Sequence, residues 1–243
     1  MEKKLEVSVI SPVFNERENL KTFVDSVTKV MHSTGMSWEL IVVDDGSDDG
    51  STTVIKELTN QDNIKCLLLA KNYGQTTAIQ AGFDNAIGKY LVTLDSDLQN
   101  DPKDIPALLH KLIEEELDLV VGWRKNRKDN YFLRNLPSSI ANKLIGNITG
   151  VKLHDYGCSL KAYRADVLKE VRLYGEMHRF IPAWMATKIP ASKISELVVT
   201  HHPRIAGKSK YGISRTFRVF VDLISVYFFM RFFSRPGHFF GLI

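Results

Sequence analysis

The chain has 243 residues, 44% hydrophobic and 25% charged, enough for one large α/β domain or two small ones, with no repeat or low-complexity segment. Its two cysteines, Cys66 and Cys158, form neither a disulfide framework nor a metal-type pair, which suits a reducing compartment. The net charge of +4 is uneven: residues 201–243 carry seven Lys/Arg against one acid, leaving 25 basic against 27 acidic residues before them, so an anionic partner, nucleic acid or membrane lipid, is expected at the basic end.

Met1-Glu-Lys-Lys runs directly into a strand pattern, Val7 to Val13, which predicts no signal peptide. Leu20, Phe23, Val24, Val27, Val30 and Met31 then recur at helical spacing behind an Asn15 cap. Trp38 to Asp45 repeats the plan, an apolar strand ending in two carboxylates, and Gly46 to Gly50 turns into a helix near Ser51 to Leu58. A third strand is predicted over Ile64 to Ala70, followed by a helix of small residues from Gln75 to Ala86.

The short apolar run Leu91 to Leu94 predicts a fourth, buried strand, and Asp95-Ser-Asp-Leu-Gln99 begins where it ends. Asp101-Pro102 opens a further helix with Ile105, Leu108, Leu109, Leu112 and Ile113 on one face. Leu117 to Val121 is predicted as a fifth strand ending in Gly122-Trp-Arg124, and Glu196 to Thr200 as a later one. Such alternation predicts a doubly wound, mostly parallel sheet of Rossmann-like character. Ligands of open parallel sheets bind at the carboxyl ends of the strands, where Glu16, Asp44, Asp45, Asp95 and Asp97 converge. Like charges in one crevice need a cation or hydrogen-bond donors to offset them, and Asp95, Asp97 and Gln99 form an oxygen-rich set for Mg²⁺ or Mn²⁺. Without a Gly-x-Gly-x-x-Gly after the first strand, or a Gly-Lys-Ser/Thr loop, the chain reads as neither a dinucleotide oxidoreductase nor a P-loop NTPase.

Taken in order, Pro12-Val-Phe-Asn-Glu16, Val43-Asp-Asp-Gly-Ser47, Asp95-Ser-Asp-Leu-Gln99 and Gly122-Trp-Arg124 resemble the family 2 glycosyltransferases of the GT-A fold. Asp155 to Arg164 and Arg204-Ile-Ala-Gly-Lys-Ser-Lys-Tyr-Gly212 are similar to its polyprenyl-phosphate branch, the dolichol-phosphate mannosyltransferases and bactoprenol glucosyltransferases. The resemblance implies an inverting enzyme that moves a hexose from a UDP- or GDP-linked sugar to a polyprenyl phosphate on the cytoplasmic membrane face. It places Pro12, Phe14, Glu16, Val43 and Asp45 around the base and ribose, with Asp45 as acceptor for a nucleobase N–H or a ribose hydroxyl. Asp95, Ser96, Asp97 and Gln99 match the metal and diphosphate element, Asp97 and Gln99 foremost as ligands. Arg204 and Lys210 match basic positions on the donor diphosphate and the acceptor phosphate. Several dolichol-phosphate members have tyrosine where Phe14 stands, which leaves stacking without a hydroxyl contact. His154 precedes Asp155 where many soluble relatives place a second acid.

A lipid monophosphate is already ionised at neutral pH, its second pKa being about 6, so strong base catalysis is unnecessary. Asp155 either completes deprotonation or orients Arg and Lys side chains around the phosphate. Arg179, at the start of a predicted helix, offers a planar fork for a phosphate. The adjacent His201 and His202 would point to opposite faces of a strand and make no metal pair.

The segment Ser214 to Arg235 is rich in Phe and Arg, but Arg215, Arg218, Asp222 and Arg231 leave no uncharged run of about 18 residues. It is expected to lie on an anionic membrane surface. The sequence thus divides into a catalytic domain over 1–212 and an amphipathic juxtamembrane helical region over 213–243, with spanning helices expected beyond it as in bactoprenol-type relatives. A homo-oligomer is compatible with this reading, and a soluble or growing saccharide acceptor, or a non-catalytic nucleotide-sugar-binding subunit, are the alternatives. Nucleic acid drops out as a partner.

Overall fold

The computed structural model describes residues 5–59, 61–125, 145–146, 150–173, 175–203, 227–228, 232, 237 and 241. Among the described residues seven strands form one sheet in the order β3-β2-β1-β4-β6-β5-β7. The strands are β1 (Val7–Val13), β2 (Trp38–Asp44), β3 (Ile64–Leu68), β4 (Tyr90–Thr93), β5 (Leu119–Trp123), β6 (Lys161–Arg164) and β7 (Ile194–Val198). The main helices are α1 (Arg17–Ser33), α2 (Ser51–Leu58), α3 (Gln75–Asn85) and α4 (Ile105–Glu114).

Strands β1 to β4 pair in parallel, as do β5 and β7, and only β6 runs against its neighbours β4 and β5. Every strand but β6 therefore delivers its carboxyl end to one edge, and β6 enters the sheet from that same edge. Both faces are covered, so strands read as continuous apolar runs, and all seven residues of β2 are buried. Leu20, Phe23, Val24, Val27 and Met31 of α1 pack into this core with 0% exposure, as the helical spacing predicts. Close approach of α3 to β1 depends on Gly82, where a Cβ would lie 2.3 Å from Ile10 Cγ2.

Several sequence expectations need correction. Asn15 does not cap α1: Glu16 occupies the cap position without a side-chain cap bond. Asn15 instead takes φ 55 and pairs with Asp48, its amide donating at 2.7 Å. Strand β5 starts two residues later than expected and takes in Gly122 and Trp123, while Ile113 is 39% exposed and lies off the buried face of α4. The expected strand at Glu196 to Thr200 begins earlier, at Ile194. Asp101-Pro102 does open a helical segment: the Asp101 carboxylate accepts from the Lys103 N–H at 3.0 Å over a 3-10 turn at Pro102–Asp104 that leads into α4. Among the described residues no helix is long and apolar enough to cross a membrane. Arg204, Lys210 and most of the expected amphipathic region over 213–243 lie outside the described residues.

Candidate active site

The strand order reverses direction at β1 and β4, and the crevice of such a sheet opens at the carboxyl ends flanking that reversal. Strand β4 ends at Thr93, so Asp95, Ser96, Asp97 and Gln99 stand at its exit. The Ser96 hydroxyl donates to the Pro12 carbonyl at 3.4 Å, fastening this exit to that of β1. The turn is strained: Leu98 adopts φ 59, a left-handed conformation costly for a bulky side chain. It is held partly by the Gln99 N–H, which donates to Asp97 Oδ1 at 3.1 Å.

Asp97 is 9% exposed beside Asp95. Burial, then repulsion from Asp97, raises the Asp95 carboxyl from its ordinary 3.8 to about 6, against lowering by Ser159, Lys161 and Arg124. A pair of carboxylates too close to ionise cheaply is the donor chemistry a hard divalent cation relieves. Among the described residues no three His, Cys, Asp or Glu side chains gather into a protein-only metal cage. Two carboxylates fit Mg²⁺ or Mn²⁺ when phosphate oxygens and water complete the shell.

The metal-free protein carries a measurable trace of this arrangement. The folded Asp95 carboxyl holds its proton up to about pH 6, whereas the unfolded chain releases it near 3.8. The extra stability therefore belongs to the protonated form and is lost as pH rises through that window. Asp95→Asn is expected to flatten this part of the dependence, read as urea midpoints between about pH 4.5 and 7.5 without metal; an unchanged slope would contradict it.

The acids at β1 and β2 are likewise held by internal donors. Asp44 accepts from the Ser47 N–H at 3.0 Å and the Thr52 hydroxyl, closing the turn into α2. Asp45, 3% exposed, accepts from the Tyr73 N–H at 2.7 Å and the Gly74 N–H at 2.9 Å. Burial raises its pKa and those two N–H groups oppose the rise. Both Asp45 oxygens thus hold the loop before α3. Glu16 Oε2 accepts from Asn19 Nδ2 at 2.7 Å. Val43 is fully buried in the core, while Phe14 and Pro12 stay partly exposed at the crevice.

A second cluster stands between the exits of β4 and β5. Because β6 is antiparallel, the residues before it, Asp155 to Leu160, lie at the carboxyl edge, and Lys161 registers with Thr93 on one side and Val121 on the other. Arg124 leaves β5 and grips Asp155 through two bonds, Nε to Oδ2 at 2.7 Å and Nη2 to Oδ1 at 2.9 Å. With side-chain exposures of 12% and 8% this is a buried, bidentate pair. Lys161, 2% exposed, donates to the Cys158 carbonyl. Burial brings its ammonium down to about 8, with Asp155 and Asp95 among the groups opposing that shift. Asn100 Nδ2 donates to Ser159 Oγ at 2.8 Å, and Thr93 Oγ1 to the Ser159 carbonyl at 2.7 Å, which ties the cluster to β4. His154, outside the pair, stacks on Trp123 with centroids 4.1 Å apart and bonds Glu196.

Arg179 lies in a 3-10 turn, Met177–Phe180, and pairs with Glu176 at 3.5 Å. The preceding His178 shares a 2.7 Å hydrogen bond with Thr76. That seats the turn on the first turn of α3, beside Gln75, whose amide donates to Asp95 Oδ1 at 2.8 Å. The His202 N–H donates to the Gln99 carbonyl at 2.7 Å, so the described chain reaches Pro203 next to the Asp97 turn. His202 Nε2 lies 3.2 Å from Asp101 Oδ2.

Gln75 and Lys161 escaped the sequence reading as site residues, and Arg124 was noted only within its motif. A lysine inside the short run Leu160-Lys-Ala-Tyr163 was the available signal, since Lys161 and Tyr163 share one face of a strand. Nothing local marked Gln75.

The model of the family described as Glycosyl transferase family 2 matches residues 8–172. The chain is 57% identical over 239 residues to dodecaprenyl-phosphate galacturonate synthase of Rhizobium johnstonii, covering 98% of this chain and 71% of that protein. It is 39% identical over 221 residues to undecaprenyl-phosphate 4-deoxy-4-formamido-L-arabinose transferase of Yersinia pestis, covering 90% of this chain and 66% of that one. It therefore spans only about two thirds of the second relative's length. Among solved structures, glucosyl-3-phosphoglycerate synthase from Mycobacterium tuberculosis with Mn²⁺, UDP-glucose and phosphoglyceric acid superposes with a TM-score of 0.69 at 17% identity, covering 93% of this chain and 79% of that one. At that identity the likeness shows a shared fold, GT-A.

Proposed function

The chain belongs to glycosyl transferase family 2, and from that membership we propose that it transfers a sugar, with inversion, from a nucleotide diphosphate donor to a polyprenyl phosphate. The observation that carries the reading is the juxtaposition at one sheet edge of the Asp95–Asp97 pair with the buried Arg124–Asp155 pair. An anionic donor head and an anionic acceptor head need these two kinds of neighbourhood side by side. The names of relatives at 57% and 39% identity support a lipid phosphate acceptor over a saccharide.

In this reading Asp95, Asp97 and Gln99 hold Mg²⁺ or Mn²⁺ against the donor diphosphate. When bound, the cation neutralises charge on the departing nucleoside diphosphate. Pro12, Phe14 and Glu16 border the nucleoside, and Asp45 shapes the same wall through Tyr73 and Gly74. Asp155 acts by orienting: its two oxygens set the plane of the Arg124 guanidinium, which faces the acceptor phosphate. An acceptor already ionised with a second pKa of about 6 asks little of a base. Arg204 and Lys210 follow Pro203, which stands beside the Asp97 turn, and with Arg179 they supply further positive charge to the phosphates. A membrane lipid as acceptor places the work at the membrane, on its cytoplasmic face, where nucleotide sugars are made.

Galacturonate is the first sugar to test, because the relative at 57% identity bears it in its name. The experiment offers UDP- and GDP-linked sugars, UDP-galacturonate among them, with undecaprenyl phosphate and Mn²⁺, and follows label into lipid extracts. Lipid-linked product from one donor is expected. Transfer only to soluble saccharides, or none with any donor, would overturn the reading.

A further inference from the structure

We propose that Gln75 is a positioning residue for the divalent cation, acting through Asp95, and that Asp45 serves the same end by anchoring the loop that carries it. The inference rests on the reading of Asp95 as a metal-side carboxylate. Gln75 is the first residue of α3, and its Nε2 donates to Asp95 Oδ1 at 2.8 Å. One oxygen of Asp95 is thereby pinned, and the carboxylate's rotation about its side chain is fixed.

The loop that delivers Gln75 is fastened at two earlier points. Asp45 holds the N–H groups of Tyr73 and Gly74. Behind it, Gly46 at φ 70 lies so close that a Cβ there would sit 2.4 Å from the Lys71 carbonyl carbon. Gly74 makes the turn into the helix at φ 96, a conformation open to glycine and strained for other residues. The chain from Asp45 to Asp95 is therefore a short series of contacts: the carboxylate just past β2, two loop N–H groups, and the next side chain's amide on the carboxylate just past β4. It joins the nucleoside wall to the metal-side acid, so neither can shift without the loop.

Partners that orient a metal's ligands typically matter by about 10- to 100-fold in metal affinity. Gln75→Met, of similar length and flexibility, keeps the packing and removes the donor. The test uses the 243-residue chain and reads free Mn²⁺ by electron paramagnetic resonance during titration, in parallel series with UDP and with GDP. Gln75→Met is expected to bind Mn²⁺ at least about tenfold more weakly than the parent at unchanged unfolding midpoint. Asp45→Asn is expected to weaken it too, and the double variant to be no worse than the poorer single one, because the two changes break one series of contacts. Binding by Gln75→Met equal to or tighter than the parent's overturns the inference while the metal reading stands. Fully additive losses overturn the part assigned to Asp45. A parent that binds no Mn²⁺ with either nucleotide overturns the metal reading and this inference with it.

Discussion

Asp97→Ala is expected to lower sugar transfer by at least about 10³-fold, the loss that follows when a cation term worth several kcal/mol is removed from the transition state. The fold should survive. Asp97 sits at the strand exit rather than in a layer of the core, and it accepts from the Gln99 N–H within its own turn. Removing its charge also relieves the repulsion that helps raise Asp95, so the variant should unfold no earlier than the parent without metal. In the parent, EDTA should abolish transfer and added Mn²⁺ or Mg²⁺ restore it. Steady-state rates and circular dichroism of both proteins decide the matter. Full turnover in EDTA, or near-parental rates in Asp97→Ala, would end the metal-assisted account.

Arg124→Ala should be the most damaging change to stability. It leaves the Asp155 carboxylate buried at 8% exposure without its bidentate partner, and breaking a buried pair from one side costs about 3–5 kcal/mol. Arg124→Lys retains the charge but not the fork, since an ammonium cannot make the two parallel bonds now seen at 2.7 and 2.9 Å. It should recover part of the stability and little of the lipid-phosphate affinity. Urea unfolding and the KM for polyprenyl phosphate separate the two effects. A loss below about 0.5 kcal/mol in Arg124→Ala, the range of ordinary surface changes, would mean the pair is not buried in solution.

The extended half of the fold was legible because parallel strands covered on both faces read as unbroken apolar runs, and α1 and α4 show the 3.6-residue recurrence. Strands β1 and β2 and helix α2 follow from these local signals to within a residue. So does the appearance of acids at strand exits, since a strand that ends in Asp must present it at the edge where the chain turns. The ordered motifs carried the family.

The tertiary structure alone decided what each acid touches. Asp44, Asp45, Asp95 and Asp97 look equivalent along the chain, yet N–H groups from a loop about thirty residues later engage Asp45, while Asp95 accepts from the Gln75 amide and is crowded by Asp97. Likewise the four residues of β6 are too few for a periodic signal, and their reversed insertion between β4 and β5 is a matter of pairing partners far away in sequence. That insertion brings Asp155 onto Arg124 and buries Lys161 beside them. Periodicity reports how a segment meets a generic apolar surface; hydrogen-bond partnership and the pairing of like charges depend on distances across the fold, which no local pattern encodes.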